Sequence, residues 1–508
     1  MHSMHRKRKA LPVVAALAVL ALASCRGVDS SDLNVAVIGG DPFETGIRLS
    51  PAGQLVRAAT VEGLVAFDEQ GRVVPALADR WIVTDDGQSY IFRLRDGNWA
   101  NGDPITAESA GDALDAALDK LKGTPFALDL AGIDEVRVMA GRVIEVRLQR
   151  PMPYLLQLLA QPELGLYHDK RGAGPMTLEK ARGGARLAPI NPALLGLPAV
   201  ESWGERMRGI ALQAVPGPSA VEKFNEGEVD LVLGGRIEDF VLTRSVGILR
   251  GTIQLDPVIG LFGLQVMNDK GFLADPANRE ALAMAIDREA LIAPFGVGGW
   301  VPTTRIVTPS LDGDLGTIGE RWAAQSLEER RRIAAARVAA WRPDDAGGAG
   351  EEARESGAAV PPAGVRLRIW LPEGEGSRTL LARLAGDFGT IGVTVERIAE
   401  AKAADLMLVD DVARYPRAAW FLNRLSCAAR RGLCSLEADA RVTEAAKTNS
   451  VPERAALLTE AEAELTTANV FIPFGTPIRW SLVRGSVDGF AANAWGWHPL
   501  MPLARLPK

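Results

Sequence analysis

Few side chains in this sequence are suited to covalent or metal chemistry. The 508 residues include four His and three Cys, and past His5 the only histidines are His168 and His498. A Ser/His/acid triad would have to use one of those two, and no Gly-x-Ser-x-Gly segment accompanies them. A phosphate loop ending Gly-Lys-Ser/Thr, a His-Glu-x-x-His pair and a Gly-x-Gly-x-x-Gly turn after a strand are missing as well. Acid pairs such as Asp85-Asp86 and Asp410-Asp411 read first as solvated turn residues. An enzyme is therefore unsupported, and no catalytic residue, metal or cofactor is expected. The aromatic residues say more. Eleven Trp stand against four Tyr, and Trp420, Trp480, Trp495 and Trp497 fall in the last fifth of the chain. Such indoles either pack the core or wall a ligand cleft, where they offer flat contact area with a donor at the rim.

The formal charge is −6 and the pI about 5.6. That leaves no basic footprint for nucleic acid, and none is expected as a partner. Composition is 47% apolar and 24% charged, which suits a globular chain of several packing units. The start differs. Arg6, Lys7, Arg8 and Lys9 precede the apolar run 10–24, whose fifteen residues span only ~22 Å as a helix and are interrupted by Pro12. Residues 1–24 therefore read as a secretory signal. Its end, Leu22-Ala23-Ser24-Cys25, resembles the lipobox of bacterial lipoproteins, which implies lipidation of Cys25 and a short tether over 25–32. Losing the four basic residues with the leader takes the charge to −10, so acyl chains rather than charge would hold the domain to a membrane. In an oxidising compartment the two remaining cysteines, Cys427 and Cys434, are expected to form a small-loop disulfide.

The elements that must position the cleft alternate in type. Residues 33–38 read as a buried strand stopped by Gly39-Gly40-Asp41-Pro42, and 52–67 reads as a helix running into Glu62-Gly63-Leu64-Val65. Two hairpins follow, 81–84 with 89–95 around Asp85-Asp86-Gly87, and 136–139 with 142–148 around Ala140-Gly141. Thr106 caps a helix through Leu121, with Ser109 an imperfect occupant of the capping-box position. Asp275-Pro276 opens a helix burying Leu282, Ala285 and Ile286, and Ser450-Val-Pro452 opens one burying Leu457, Leu458, Ala461 and Leu465. Helix–turn–strand units at 220–233 and 380–395, the second followed by strand 405–409, predict two α/β lobes with mostly parallel sheets. Residues 342–364 are rich in Ala, Gly, Pro and acids and are expected to form a mobile surface loop, the first site of proteolysis. Ligands in open α/β sheets sit at strand carboxyl ends, which makes Glu44 and Thr45 candidate contacts.

Several segments together resemble the family 5 extracellular solute-binding proteins, the oligopeptide- and dipeptide-binding type of ABC importers. They are Glu62-Gly63-Leu64, Pro75 to Trp81, Asp86 to Gly97 and Trp99 to Glu108, then Phe224-Asn-Glu-Gly227-Glu228-Val-Asp230, then Asn268 with Asn278 to Glu289. Glu453-Arg454, Ile472-Pro473 and Val487-Asp-Gly489-Phe490 complete the ordered set. The resemblance implies a two-lobed α/β fold of the periplasmic-binding-protein kind (type II, cluster C) with an extra strand-rich subdomain. The first lobe would span 33–265, with the strand-rich part at about 73–195. The second would span 266–474, with 475–508 returning to the first.

The implied function is that of a monomeric, lipid-anchored receptor of the cell envelope. It would take a peptide or peptide-like solute between its lobes and pass it to ABC permease and ATPase subunits. The alternative is a non-transport envelope lipoprotein on the same scaffold. In peptide-binding members an Asp four residues before the Pro of the segment resembling Tyr415-Pro416 pairs with the peptide ammonium. Here that position is Val412, with Asp411 beside it and Arg414 and Arg417 nearby. If Asp411 cannot take that role, an anionic or neutral ligand is favoured. The candidate contacts are Asp411, Arg414, Tyr415 and Trp420, with Trp495 and Trp497 as further walls.

Overall fold

The computed structural model describes residues 32–247, 251–309, 311, 313, 318–342 and 364–507. The leader, Cys25 and nearly all of the 342–364 segment lie outside the described residues. Among the described residues no helix is long and apolar enough to cross a membrane.

Capping chemistry sets the helix starts. Thr106 and Ser109 form a reciprocal capping box, each backbone N–H donating 3.1 Å to the other's side-chain oxygen, and the helix runs Ala107–Leu121. The serine thus does the work of the usual carboxylate. Asp275 accepts from Ala277 N at 2.8 Å with Pro276 at the first turn, and Leu282, Ala285 and Ile286 are fully buried. Ser450 caps Val451–Thr467, which buries Leu458, Ala461 and Leu465 and leaves Leu457 half-buried. The helix expected over 52–67 is shorter, Pro51–Thr60 capped by Ser50, and Val65–Phe67 is a strand. Apolar β-branched residues and Gly63 end it, as the backbone turns extended at Val61.

Two sheets organise the chain. In the seven-stranded sheet, Leu33–Ile38 lies between parallel neighbours Ile210–Val215 and Leu231–Gly235. Antiparallel strands extend it on both sides: Trp480–Val483 and Ile253–Leu255 on one, Gly184–Pro189 and Met176–Ala181 on the other. In the five-stranded sheet, Val393–Arg397, Val365–Trp370 and Leu406–Val412 run parallel, Gly260–Val266 is antiparallel to Leu406–Val412, and Phe471–Gly475 pairs antiparallel with Gly260–Val266. Both sheets are therefore mixed rather than mostly parallel. The reason is connectivity, because the antiparallel strands enter without the crossover helix that a parallel neighbour needs. A separate antiparallel sheet, Ala78–Val83, Ser89–Leu94, Val143–Leu148 and Ile133–Met139, carries both expected hairpins.

Sheet membership also shows where the chain changes halves. Ile253–Leu255 belongs to the seven-stranded sheet and Gly260–Val266 to the five-stranded one; Phe471–Gly475 and Trp480–Val483 divide in the same way. The central strands are buried on both faces, with Leu33, Val35, Ala36 and Val37 fully covered. The halves share one core, in which Ala36 and Val232 join Phe262 and Leu264. Helix Glu375–Gly389 packs on Ile237–Phe240, and a Cβ at Gly376 would sit 2.0 Å from the Ile237 carbonyl oxygen, so only glycine permits that approach. Cys427 and Cys434 are disulfide-bonded, with Cα atoms 5.1 Å apart.

Candidate functional site

A cavity of about 660 Å³ opens where both sheets end their parallel strands. Leu231–Gly235 delivers Gly234 and then Arg236, and Leu406–Val412 delivers Asp411, Val412 and the following Arg414. Arg48 and Gln54 enter from the first strand's loop and helix, and Trp495 and Trp497 from the C-terminal segment. The helix Ala418–Leu425 places Trp420 and Arg424 at the wall, one turn apart. This is the strand-end placement expected of ligand sites in α/β sheets.

The wall is rich in arginine. Arg48, Arg236, Arg414, Arg424, Arg431 and Arg479 all reach it, and Asp411 is the sole carboxylate among its described residues. Half of these cations are paired. Arg414 donates to Glu163 at 2.7 and 3.1 Å and to Gln161 at 3.2 Å. Burial works to raise the Glu163 carboxyl, but the Arg414 charge and hydrogen bonds carry it below its ordinary value. Arg479 donates to both oxygens of Asp410, at 2.8 and 2.9 Å, and to its carbonyl. Arg431 is bonded to Asp411; burial again opposes ionisation, and Arg431 with Arg424 outweighs it.

Arg48, Arg236 and Arg424 have no carboxylate within ion-pair distance among the described residues. Arg236 reaches only the Asp410 carbonyl, at 3.4 Å. Arg424 lies 5.3 Å from the centre of the Trp420 ring; burial first, and then the Arg414 charge, pull its pKa down. Two buried donors at this wall, Arg424 Nε and Trp420 Nε1, have no acceptor among the described residues.

The structure brings together Asp411, Arg414, Trp420, Trp495 and Trp497 at one cavity. Tyr415 is elsewhere. Its ring is fully buried, stacks on Tyr154 at 4.2 Å, and its hydroxyl donates to Asp129 at 2.9 Å. It ties the second half to the strand-rich part because its strand end faces helix Pro125–Leu130, a contact between elements far apart in sequence. Glu44 folds back to accept from Ser50 N at 2.6 Å, and Thr45 is exposed; Arg48, three residues on, lines the cavity instead. Trp480 is buried behind the wall, its indole N–H donating to Arg236 O at 2.8 Å. Arg48, Arg236, Arg424 and Arg431 were not singled out in the sequence. The i, i+4 spacing of Trp420 and Arg424 could have pointed to one of them.

The two histidines differ. His498 is buried at the cavity, its Nε2 3.1 Å from Asp256, whereas His168 is half-buried, 3.2 Å from Asp103 and 3.9 Å from Asp169.

Residues 72–425 match the family of bacterial extracellular solute-binding proteins, family 5 (middle). The chain is 27% identical over 315 residues to the probable deoxycholate-binding periplasmic protein YgiS of Escherichia coli, covering 55% of each. It is 25% identical over 312 residues to the E. coli periplasmic oligopeptide-binding protein OppA, covering 54% of this chain and 55% of that one. The matched stretch thus spans about half the length of these curated relatives. Haemophilus influenzae OppA, solved in complex with the peptide RPPGFSPFR, superposes with a TM-score of 0.75 at 18% identity, over 94% of this chain and 99% of that one. That likeness establishes the two-lobed fold with its strand-rich subdomain. The chain belongs to the bacterial extracellular solute-binding proteins, family 5.

Proposed function

We propose that this chain is the solute-binding component of an ABC importer. It takes a peptide or peptide-like solute between a first lobe, 33–265 with 475–508, and a second lobe, 266–474, and hands it to a membrane permease. It acts in the cell envelope as a monomer tethered through lipidated Cys25, and carries out no covalent step. The observation that carries the reading is the cavity at the strand ends of both sheets, with walls drawn from each. A ligand touching both halves binds the closed arrangement better than the open one, and that difference drives closure. The peptide class is supported by the named ligands of relatives such as the E. coli and H. influenzae oligopeptide-binding proteins. Native mass spectrometry of protein purified without denaturation tests it. A bound small molecule, released on unfolding, is the expected result. Protein with no bound mass, and with no melting shift from any small-molecule fraction whatever its charge, would refute the receptor reading.

A further inference from the structure

The guanidinium groups at the cavity outnumber the carboxylates that could answer them. Arg414, Arg431 and Arg479 each hold one carboxylate, while Arg48, Arg236 and Arg424 hold none among the described residues. Arg424 feels the Arg414 and Arg431 charges against those of Asp129 and Asp411, and burial with Arg414 wins, so its pKa is lowered although it forms no ion pair among the described residues. Its Nε and the indole N–H of the fully buried Trp420 are donors without acceptors, and both belong to residues of the cavity wall. A buried donor left unmatched costs free energy, and a cluster of like charges in a low-dielectric cleft adds to that cost. An anion relieves both at once, and a planar guanidinium receives a carboxylate through paired N–H donors.

A peptide ammonium fares badly here. The one carboxylate on the wall, Asp411, is engaged by Arg431, and an ammonium beside it would face Arg424 and Arg431. The uncompensated cations are also split between the halves: Arg48 and Arg236 come from elements of the seven-stranded sheet, and Arg424 from the helix after the five-stranded one. Anionic groups at both ends of one molecule would therefore draw the halves together.

We infer that the solute of this cavity is a small molecule with at least two carboxylates and no need of a free ammonium. One carboxylate is received by the Arg424 guanidinium, and another by Arg236 and Arg48. This inference rests on the receptor reading above and narrows its ligand to an acidic, peptide-like class.

The test uses a bacterial small-molecule extract separated on an anion exchanger into retained and unretained fractions, each added to the purified protein in low salt. The retained, anionic fraction is expected to raise the melting temperature. Arg424→Gln and Arg236→Gln, each checked for native circular dichroism, are expected to weaken the response at least tenfold in titration. Lys122→Met, at an exposed ion pair outside the cavity lining, should preserve it. A shift from the unretained fraction alone overturns the anionic assignment and leaves the receptor reading standing, while a shift from neither fraction removes both. A retained-fraction response that phosphatase treatment destroys makes the anion a phosphoryl group and overturns the carboxylate assignment. Equal responses in wild type and both Arg variants would also overturn it.

Discussion

Arg479 lies between Gly475 of the five-stranded sheet and Trp480 of the seven-stranded one, and its guanidinium grips Asp410 through both carboxylate oxygens and the carbonyl. The side chains are 9% and 7% exposed. Asp410→Asn keeps the shape and removes the charge, leaving a buried guanidinium beside neutral acceptors. Removing one member of a buried pair typically costs about 3–5 kcal/mol, so Asp410→Asn and Arg479→Gln should each destabilise the protein by roughly that amount. The double variant should cost less than the two singles together, by about 2 kcal/mol, because neither charge is then stranded. The assay is urea unfolding followed by tryptophan fluorescence and circular dichroism, with coincident transitions required before a free energy is assigned. Lys122→Met, which breaks the exposed pair with Asp119, serves as the control and should leave the midpoint unchanged. Additive single effects, or single costs below about 1 kcal/mol, would refute the claim that this pair fastens the crossing between sheets.

Two further outcomes are expected. Burial, followed by the Asp410 charge, raises the Glu238 carboxyl to about 7 from an unfolded value of 4.5, so the folded state holds its proton longer. The contribution of this group is then fully present below pH 4.5 and is lost as pH rises through 7, by roughly 3 kcal/mol. Glu238→Gln should remove that contribution; Glu62, also raised to about 7 by burial, continues to titrate, so the slope of stability against pH should become shallower rather than vanish. An unchanged slope in pH-dependent urea unfolding would count against it. Tyr415→Phe keeps the stack on Tyr154 and deletes the donor to buried Asp129, and should cost roughly 1–3 kcal/mol in the same assay. Ligand affinity by calorimetry should change less than twofold, because the ring does not line the cavity; a larger loss would make Tyr415 a direct contact.

Much of the fold was legible because its signals are local. Thr106, Asp275 and Ser450 announce their helices by caps whose partners lie two or three residues away. The strand at Leu33–Ile38 follows from an unbroken apolar run, and the hairpins from their turn residues. Strand direction was less legible. Nothing in the composition of Gly260–Val266 says that it runs against both of its neighbours, since direction depends on where the chain has come from.

The cleft divides along the same line. The sequence by itself determined a family pattern, indoles gathered near the C-terminus, and a Val where a carboxylate was expected at residue 412. It also made Asp411, Arg414, Trp420, Trp495 and Trp497 candidate contacts, and all five line one cavity. Only the tertiary structure decided which charges meet. Arg414 finds Glu163 and Tyr415 finds Asp129, separated by 251 and 286 residues, while Arg236 and Arg424, brought to the same cavity, form no ion pair among the described residues. Electrostatic balance in a cleft is a sum over neighbours in space, and spacing along the chain carries no record of it.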